Sequence, residues 1–508
     1  MPKVVVCGAG SAGCVVAARL SEDPANDVIV IEAGPDYPTL EEMPEVIRNA
    51  HVGASLGTHH DWGYFDATLT SSFNPLDVDG HDAIVPIFRG KVVGGSSAVN
   101  AGNFLRAHEY DFDTWVALGA AEWSWAQVRE AFCRLESDEL GGEWHGRQGK
   151  VPVRRTARED LRPIFRDFLD ACAHRGHQVL DDLNAPGAVG AGRIPFNVVA
   201  GVRQSAAVTY LADARDRANL TVRADAEVDR VLFDDRTAVG VLLTSGEEIA
   251  ADIVVLSAGA LGSPAILMRS GVGPQTQLQE LGITVKVAND AVGSNLQDHP
   301  SATLVFSMTP ESVDVSASLQ TVLTCCSSGS QYQSEVDLNI TPRVLRPDQL
   351  VVNVGLVKSR SVGYLRLRSS AATAAPEIHL NYFSHPDDLP RLIRGVQLTR
   401  DVVSSSRLTR YNLVETFPGP DATSASDIGE SIRSSPHSYA HAAGTCRIGD
   451  PGVPGAVVDQ YGAVHGLDRL SVIDASIMPL IPSTPTNSTT MMLAERCIPA
   501  LRKSLAAI

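Results

Sequence analysis

The chain lacks an excess of positive charge, a long apolar run and any pair of cysteines with C-x-x-C spacing. Its 508 residues include 42 Lys and Arg against 59 Asp and Glu, which gives a formal net charge of −17. Binding nucleic-acid phosphates or anionic lipid requires a basic surface, so neither partner is expected. The most apolar stretch, Ile253–Leu261, is too short to span a bilayer, and membrane insertion is not expected either.

The cysteines and the amino terminus bear on location. Eight cysteines are scattered along the chain without the spacing of a zinc or redox site. We therefore expect no bound metal and reduced thiols, as in a cytoplasmic protein. The first strand is predicted to begin at Lys3, which leaves no space for the basic and apolar regions of a signal peptide. The sequence predicts a soluble, cytoplasmic protein.

The amino-terminal segment has the pattern strand, glycine turn, helix, strand. Lys3–Cys7 (KVVVC) and Val28–Glu32 (VIVIE) are short β-branched runs of the kind buried in parallel sheets. Between them, Gly8–Gly13 predicts a turn and Cys14–Leu20 predicts a helix. Residues 35–90 show little periodicity and are interpreted as an excursion that covers a site. Further strands are predicted at 219–242, which holds two, and at Ile253–Ser257.

The pattern changes beyond His299 to alternating polar and apolar residues, for example in Ala302–Ser307 and Val351–Leu356. Such alternation predicts antiparallel strands, and a chain of this length needs more than one core. The predicted fold class is α/β, with a Rossmann-like domain built on a mainly parallel sheet and a second domain built on a large antiparallel sheet. We assign 1–155, 196–300 and 440–508 to the first domain, and 156–195 and 301–439 to the second.

A G-x-G-x-x-G motif, formed by Gly8, Gly10 and Gly13, connects the first strand to the helix. The first glycine allows the tight turn, the second lets a pyrophosphate approach the backbone, and the third lets helix and strand pack closely. The amino terminus of the helix then faces the anion. Glu32 ends the next strand, where a carboxylate can bind a ribose hydroxyl. The motif predicts a bound dinucleotide without separating NAD from FAD.

Two further glycine-rich segments, 89–104 and 259–273, favour FAD. A backbone without bulky side chains can lie against a flat ring and donate N–H groups to its polar edge. Both segments resemble the signatures of the glucose–methanol–choline (GMC) oxidoreductases, a family of FAD enzymes. The resemblance extends from Lys3 to about Leu501 and includes Trp144–Gly146, Asn295–Pro300, Gly363–Leu367 and Asp474–Pro479.

The resemblance implies a Rossmann-like FAD-binding domain and a substrate domain, with the site between them. It implies non-covalent FAD, because Val99 replaces the histidine through which some members attach the flavin. The implied cofactor residues are Gly8, Gly10, Ser11, Ala12, Gly13, Glu32 and Ala33 for the ADP half; Val93, Gly94, Ser97, Asn100, Ala101, Gly102 and Asn103 along the pyrophosphate and isoalloxazine; Val228 at the adenine; and Asp474, Ala475, Asn487 and Ser488 over the flavin.

His441 is the candidate catalytic base. An alcohol hydroxyl is a poor acid, so hydride loss from its carbon needs a base, and imidazole titrates in a suitable range. His441 lies three residues before the Gly444–Thr445 pair. The resemblance to GMC oxidoreductases implies that the histidine at this position takes the hydroxyl proton beside flavin N5. His437 lies nearby without such support and is interpreted as structural or as a supporting contact.

The sequence departs from the family opposite this base, where Pro485 replaces a His or Asn. A proline side chain neither donates nor accepts a hydrogen bond. Either the loop is shifted so that Asn487 fills the role, or the enzyme works with a single base, which we favour. Pyridoxine oxidases of the family are similar in having a proline there. They differ in a second histidine two residues before the base, which is Tyr439 here.

The predicted function is therefore FAD-dependent oxidation of a primary or secondary alcohol, of a small aromatic or heteroaromatic kind such as pyridoxine. Oxygen or another carrier would accept the electrons, and the oligomeric state stays open. One alternative is a non-redox relative such as an FAD-containing hydroxynitrile lyase, because the flavin segments are shared. Another is a non-catalytic flavoprotein in which Pro485 marks lost activity.

Overall fold

The computed structural model describes residues 1–50, 57–71, 83–310, 319–327 and 335–508. Its first sheet has five strands, and every pairing in it is parallel. The strands are β-branched and their inner residues are buried, as a sheet covered on both faces requires. The predicted parallel sheet is confirmed. In spatial order its strands are Leu220–Arg223, Asp27–Ile31, Lys3–Cys7, Ile253–Leu256 and Leu470–Val472.

The strand order places a crevice at one edge of this sheet. The strands that follow Lys3–Cys7 in sequence are added first on one side of it and later on the other, beginning with Ile253–Leu256. The direction of strand order therefore reverses between Lys3–Cys7 and Ile253–Leu256. Ligands of open α/β sheets bind beyond the carboxyl ends of the strands at such a reversal. Gly8, Glu32 and Ser257 lie just beyond the carboxyl ends of three neighbouring strands. The topology therefore brings motifs that are distant in sequence to a single edge.

The second sheet has eight strands and is antiparallel except for the Val179–Leu180 and Gly190–Arg193 pair. One face packs on helices in a separate hydrophobic cluster that includes Phe165, Leu304 and Leu392. The predicted large antiparallel sheet is confirmed, with one parallel pair at its edge, whereas the domain boundaries remain a prediction. The sheet's other strands are Val414–Phe417, Pro300–Ser307, Gln349–Leu356, Leu338–Arg346, Thr321–Cys325 and His437–Ser438.

Two local predictions differ from the structure by more than a shift of one residue at a strand end. The first helix begins at Ser11 rather than at Cys14, because Gly10 already adopts the extended conformation of an N-cap. Residues 219–242 hold a strand of the parallel sheet, Leu220–Arg223, followed by most of the antiparallel pair Val228–Asp234 and Thr237–Leu243. The segment holds three strands, because the short strand Leu220–Arg223 joins the edge of the parallel sheet before the chain forms the antiparallel pair.

The remaining elements are helices and short strands that lie outside the two large sheets. Within the described ranges, none of the helices combines the length and apolarity that crossing a bilayer requires. The helices are Ser11–Leu20, Glu45–Arg48, Glu109–Ala117, Trp125–Leu135, Pro163–His174, Gly259–Arg269, Gln275–Glu280, Asp388–Val403, Ala425–Ser434 and Thr486–Leu505. The other strands are Tyr64–Ser71, Ala83–Ile87, Glu136–Asp138, Val151–Val153, Val198–Val199, Val202–Arg203, Glu248–Ala250, Val272–Gly273, Val287–Ala288, Tyr364–Arg366 and Glu377–His379.

A buried polar cluster away from the crevice has two carboxylates and a histidine at distances that would suit a metal ion, Glu136, Asp138 and His145. Its acids are Glu136, Asp138 and Asp182, and Arg106 and Arg155 pair with them. Burial lowers the pKa of His145, but its hydrogen bonds to Asp182 and Glu136 outweigh that effect and raise the pKa to about 9. His145 is therefore charged at neutral pH, and the three cations of this ion-pair network balance its three anions.

Candidate active site

A cavity of about 790 Å³ lies at the crevice and is lined by residues from both sheets. Gly8 and Glu32 contribute from the parallel sheet, and Thr341 and Arg343 contribute from the antiparallel sheet. The volume lies in the upper part of the range of ligand pockets. Trp62 and Tyr64, from the predicted covering excursion, also line it, whereas 51–56 and 72–82 lie outside the described residues. The cavity is large enough for an extended ligand that contacts both sheets.

The glycine turn brings the first helix directly against the first strand. A Cβ atom at Gly13 would lie 1.8 Å from the carbonyl oxygen of Gly8, so no other residue fits there without displacement. Gly8 has a positive φ of 100°, which glycine adopts readily. No side chain caps the helix that begins at Ser11, so its first N–H groups are available to an anion in the cavity.

Glu32 is held as an acceptor at the adjacent strand end. Its carboxylate accepts hydrogen bonds from the backbone N–H groups of Ala9 and Gly34, both at 3.0 Å. Burial raises the pKa of Glu32 to about 7, although these N–H groups oppose the shift. The carboxylate lines the cavity with acceptor capacity left over, which suits a sugar hydroxyl.

Two observations show that a dinucleotide fits the residues present. Asn487 accepts a hydrogen bond from the Ser11 hydroxyl at 2.9 Å, while its buried Nδ2 has no partner in the protein. Leaving a buried donor unpaired is costly, so an acceptor from a bound group is expected there. A Cβ atom at Gly10 would meet no protein atom closer than 3.9 Å. The protein itself thus does not require glycine here for space, whereas a pyrophosphate close to the backbone would.

The structure brings most of the sequence-predicted cofactor residues to the cavity wall and places the others behind it. The wall includes Gly8, Gly10, Ser11, Ala12, Glu32, Ala33, Asn100, Ala101, Asn103, Val228, Asp474, Ala475 and Asn487. The predicted residues outside the lining are Gly13, Val93, Gly94, Ser97, Gly102 and Ser488.

The residues behind the wall hold its backbone in place. The N–H of Gly94 donates to the carbonyl of Ala9 at 2.7 Å. The Ser97 hydroxyl donates to the carbonyl of Gly94 at 2.6 Å and accepts from the N–H of Ala206 at 2.9 Å. These contacts connect the second glycine segment to the first turn. Direct cofactor contact by this group remains a prediction.

His441 lines the cavity and pairs with a second histidine. Its Nδ1 lies 2.9 Å from Nδ1 of His299, and Nε2 of His299 lies 3.0 Å from the carbonyl oxygen of Pro482. A carbonyl only accepts, so His299 carries its proton on Nε2 and accepts on Nδ1. His441 must therefore donate from Nδ1, which leaves a lone pair on its Nε2. The network fixes the tautomer that a proton acceptor needs.

Both imidazoles are held neutral. Burial, together with the nearby guanidinium of Arg89, lowers the pKa of His441 to about 3. Burial and the adjacent His441 lower the pKa of His299 to a similar value. His299 was not among the residues predicted for the site, although it lies in a segment that resembles the family. The contact joins residues 142 positions apart, so no local pattern reveals it.

Replacing Arg89 by Met is expected to move the acid limb of the kcat/KM profile to higher pH. Arg89 donates to the carbonyl of Ala440, the residue before His441, and its charge disfavours the imidazolium. Removing the charge raises the pKa of His441, and a base loses activity as the pH falls through its pKa. The Arg89→Lys variant keeps the charge and serves as the control. A limb that does not move in Arg89→Met would exclude this electrostatic role.

Pro485 lines the cavity at the start of the last helix, Thr486–Leu505. The Asn487 carbonyl oxygen is bound to Ser11 at the glycine turn, which favours the single-base interpretation over a shifted loop. Tyr439 stands where pyridoxine oxidases have their second histidine, and its ring meets that of His441 edge-on at 5.7 Å between centroids. Tyr439 therefore gives the wall beside the base an aromatic part, next to the Arg89 guanidinium.

Comparisons with known proteins agree with this geometry. Family models described as GMC oxidoreductase match residues 3–301 and 359–494. The chain belongs to the GMC oxidoreductase family. It is 34% identical to an uncharacterized GMC-type oxidoreductase of Rhodococcus erythropolis over 97% of this chain and 96% of the relative. It is 33% identical to mitochondrial choline dehydrogenase of Homo sapiens, over 97% of this chain and 88% of that one.

A solved structure supports the same assignment. Pyridoxine 4-oxidase from Mesorbium loti superposes with a TM-score of 0.90 at 28% identity, covering 99% of each chain. The protein is accordingly an FAD-dependent GMC oxidoreductase acting on alcohols. FAD, when bound, supplies an electrophilic ring nitrogen that accepts a hydride. The residues expected to hold it are those of the glycine turn, Glu32 and Asn487.

Proposed function

We propose that this enzyme oxidises a small primary or secondary alcohol to an aldehyde or ketone, with His441 as the base. The observation that carries the proposal is the lone pair on His441 Nε2, imposed by the His299 and Pro482 hydrogen bonds. The substrate hydroxyl would donate to this nitrogen, and its proton would move to His441 as the carbon loses hydride. The substrate domain, 156–195 and 301–439, would hold the rest of the alcohol.

His299 and Asp298 would position the base. Asp298 accepts a hydrogen bond from the backbone N–H of His441 at 2.7 Å, and His299 accepts from its ring. When His441 takes a proton on Nε2, its Nδ1–H bond to His299 becomes charge-assisted and shorter. The two contacts thus fix the ring before the reaction and stabilise the imidazolium after it.

An aromatic or heteroaromatic alcohol of the pyridoxine type is the proposed substrate class. Support comes from the 28% identity with pyridoxine 4-oxidase over almost the whole chain and from Pro485 beside the cavity. Tyr439 offers a flat face or edge to such a ring near His441. Oxygen or a separate carrier would take the electrons afterwards.

The test is to mix the FAD-loaded enzyme anaerobically with each of a panel of alcohols and to monitor the absorption of the oxidised flavin. Bleaching by at least one alcohol, with the matching aldehyde or ketone recovered, is the expected result. Admission of air then separates an oxidase, whose colour returns at once, from a dehydrogenase. Cleavage of cyanohydrins without any bleaching would instead identify a lyase and overturn the proposal.

A further inference from the structure

Arg343 projects into the cavity from the antiparallel sheet. It lies on the strand Leu338–Arg346, where Thr341, Arg343 and Leu345 line the cavity. Val344, between them, is fully buried in the hydrophobic cluster on the opposite face of the sheet. This alternation is the period of a strand that has one face packed and the other facing a ligand space. Arg343 is therefore fixed by register on the face that the substrate would occupy.

Arg343 has no charged partner in the part of the chain that the structure describes. Its Nε is buried without a hydrogen bond, and burial lowers the pKa of its guanidinium. Arg343 is half-buried, whereas the more deeply buried Arg391 and Arg155 pair with Asp388 and Asp138. Arg203, also buried without an acid, donates instead to three backbone carbonyls. Arg343 has neither an acid nor such a set of carbonyls, so an anion in the cavity would offset the cost of desolvating its guanidinium.

The acids of the cavity wall lie at its other end. Glu32 and Glu227 follow the strands of the dinucleotide side, and Glu32 is bound by backbone N–H groups. Asp474 accepts hydrogen bonds from Ser263 and from the N–H of Gly259. Among the described lining residues, none of these acids lies on the antiparallel sheet that carries Arg343. That end of the cavity is consequently positive in a protein whose net charge is −17.

Tyr439 connects Arg343 to the reacting region. The Tyr439 ring meets the His441 ring at 5.7 Å between centroids. Its phenol group is buried and lies within electrostatic range of Arg343. A ligand whose carbinol lies at His441 and whose far end reaches Arg343 must therefore pass along the Tyr439 ring. The arrangement suits a molecule with two polar ends separated by roughly an aromatic ring.

We propose that the substrate carries an anionic group, a carboxylate or a phosphate, which Arg343 binds while the carbinol faces His441. The inference rests on the proposed alcohol oxidation and narrows its substrate class. A guanidinium presents two parallel N–H donors that match either anion. A quaternary ammonium alcohol would instead place its cation beside an unpaired arginine, so a choline-like compound is expected to be a poor substrate.

The kinetic test uses alcohols that differ only in the charge opposite the carbinol. The probes are 4-(hydroxymethyl)benzoate, 4-(hydroxymethyl)phenyl phosphate, benzyl alcohol and 4-(hydroxymethyl)phenyltrimethylammonium, each oxidised to its aldehyde as two electrons pass to the flavin. We expect at least about a tenfold higher kcat/KM for one of the two anions than for benzyl alcohol, and a further loss for the cation. A preference for the benzoate would identify a carboxylate site, and a preference for the phenyl phosphate would identify a phosphate site.

Variants assign the effect to Arg343. Arg343→Met keeps an unbranched side chain up to the position of Nε and removes the charged guanidinium, and it should lower kcat/KM for the preferred anion about tenfold to a hundredfold, mainly through KM. Benzyl alcohol should be affected little, and Arg343→Lys should restore part of the loss. Arg346→Met is the matched control, because Arg346 ends the same strand with an exposed side chain.

A binding measurement separates this inference from the proposed chemistry. Calorimetric titration of the oxidised enzyme with benzoate and with phenyl phosphate needs no turnover, and Arg343→Met should weaken the tighter of the two at least about tenfold. Equal affinity in the wild type and in Arg343→Met would overturn the anion site even if alcohols bleach the flavin. Failure of every alcohol to bleach the flavin, with anion binding still dependent on Arg343, would overturn the oxidation instead.

Discussion

Replacing His441 by Ala is expected to leave FAD bound and to slow anaerobic flavin reduction by about 10²- to 10⁴-fold. The Nε2 lone pair is the acceptor for the hydroxyl proton, and an alanine offers none. The cofactor wall is formed mainly by backbone of the glycine segments together with Glu32 and Asn487, so it persists in the variant. Stopped-flow absorption of the flavin with a saturating alcohol measures the rate directly.

Two companion variants make the result specific to this imidazole. His441→Gln keeps a polar side chain without a base and should be as slow as His441→Ala. His465→Ala removes a histidine that is outside the cavity lining and hydrogen-bonds to the carbonyl of Gly449, and it should reduce flavin at the normal rate. Wild-type kinetics in His441→Ala would remove His441 from the mechanism and leave hydroxyl deprotonation to another group or to water.

The dinucleotide end of the site could be predicted because its determinants are local. Gly8, Gly10 and Gly13 lie within six residues, and each has a steric reason that the structure reproduces, from the positive φ of Gly8 to the close contact at Gly13. Glu32 follows a strand whose register against Lys3–Cys7 is set by five consecutive parallel pairs. Period and spacing alone therefore placed these residues on one sheet edge.

The substrate end could not be predicted in the same way, because its contacts depend on long-range pairing. His299 acts on His441 only after the strand Pro300–Ser307 pairs with His437–Ser438. Arg343 faces the cavity because it pairs with Val351 in the antiparallel ladder, and a shift of one residue would turn it into the core. The sequence pattern indicates strands here, but only the tertiary structure indicates which face meets the ligand.

Alanine at Gly10 and alanine at Gly13 are expected to separate cofactor binding from folding. The Cβ of Gly10→Ala would make only ordinary van der Waals contacts, at 3.9 Å from Gly95 and Ser257. The apoprotein should therefore keep its unfolding temperature, while FAD affinity falls at least about tenfold through collision with the pyrophosphate. The Cβ of Gly13→Ala would lie 1.8 Å from the Gly8 carbonyl oxygen, an overpacking that should destabilise the apoprotein by about 1–3 kcal/mol or more. Thermal unfolding of the apoproteins and fluorescence titration with FAD measure the two effects separately. Unchanged FAD affinity in Gly10→Ala would mean that no phosphate approaches this turn, because the protein itself offers no obstacle to the added methyl group.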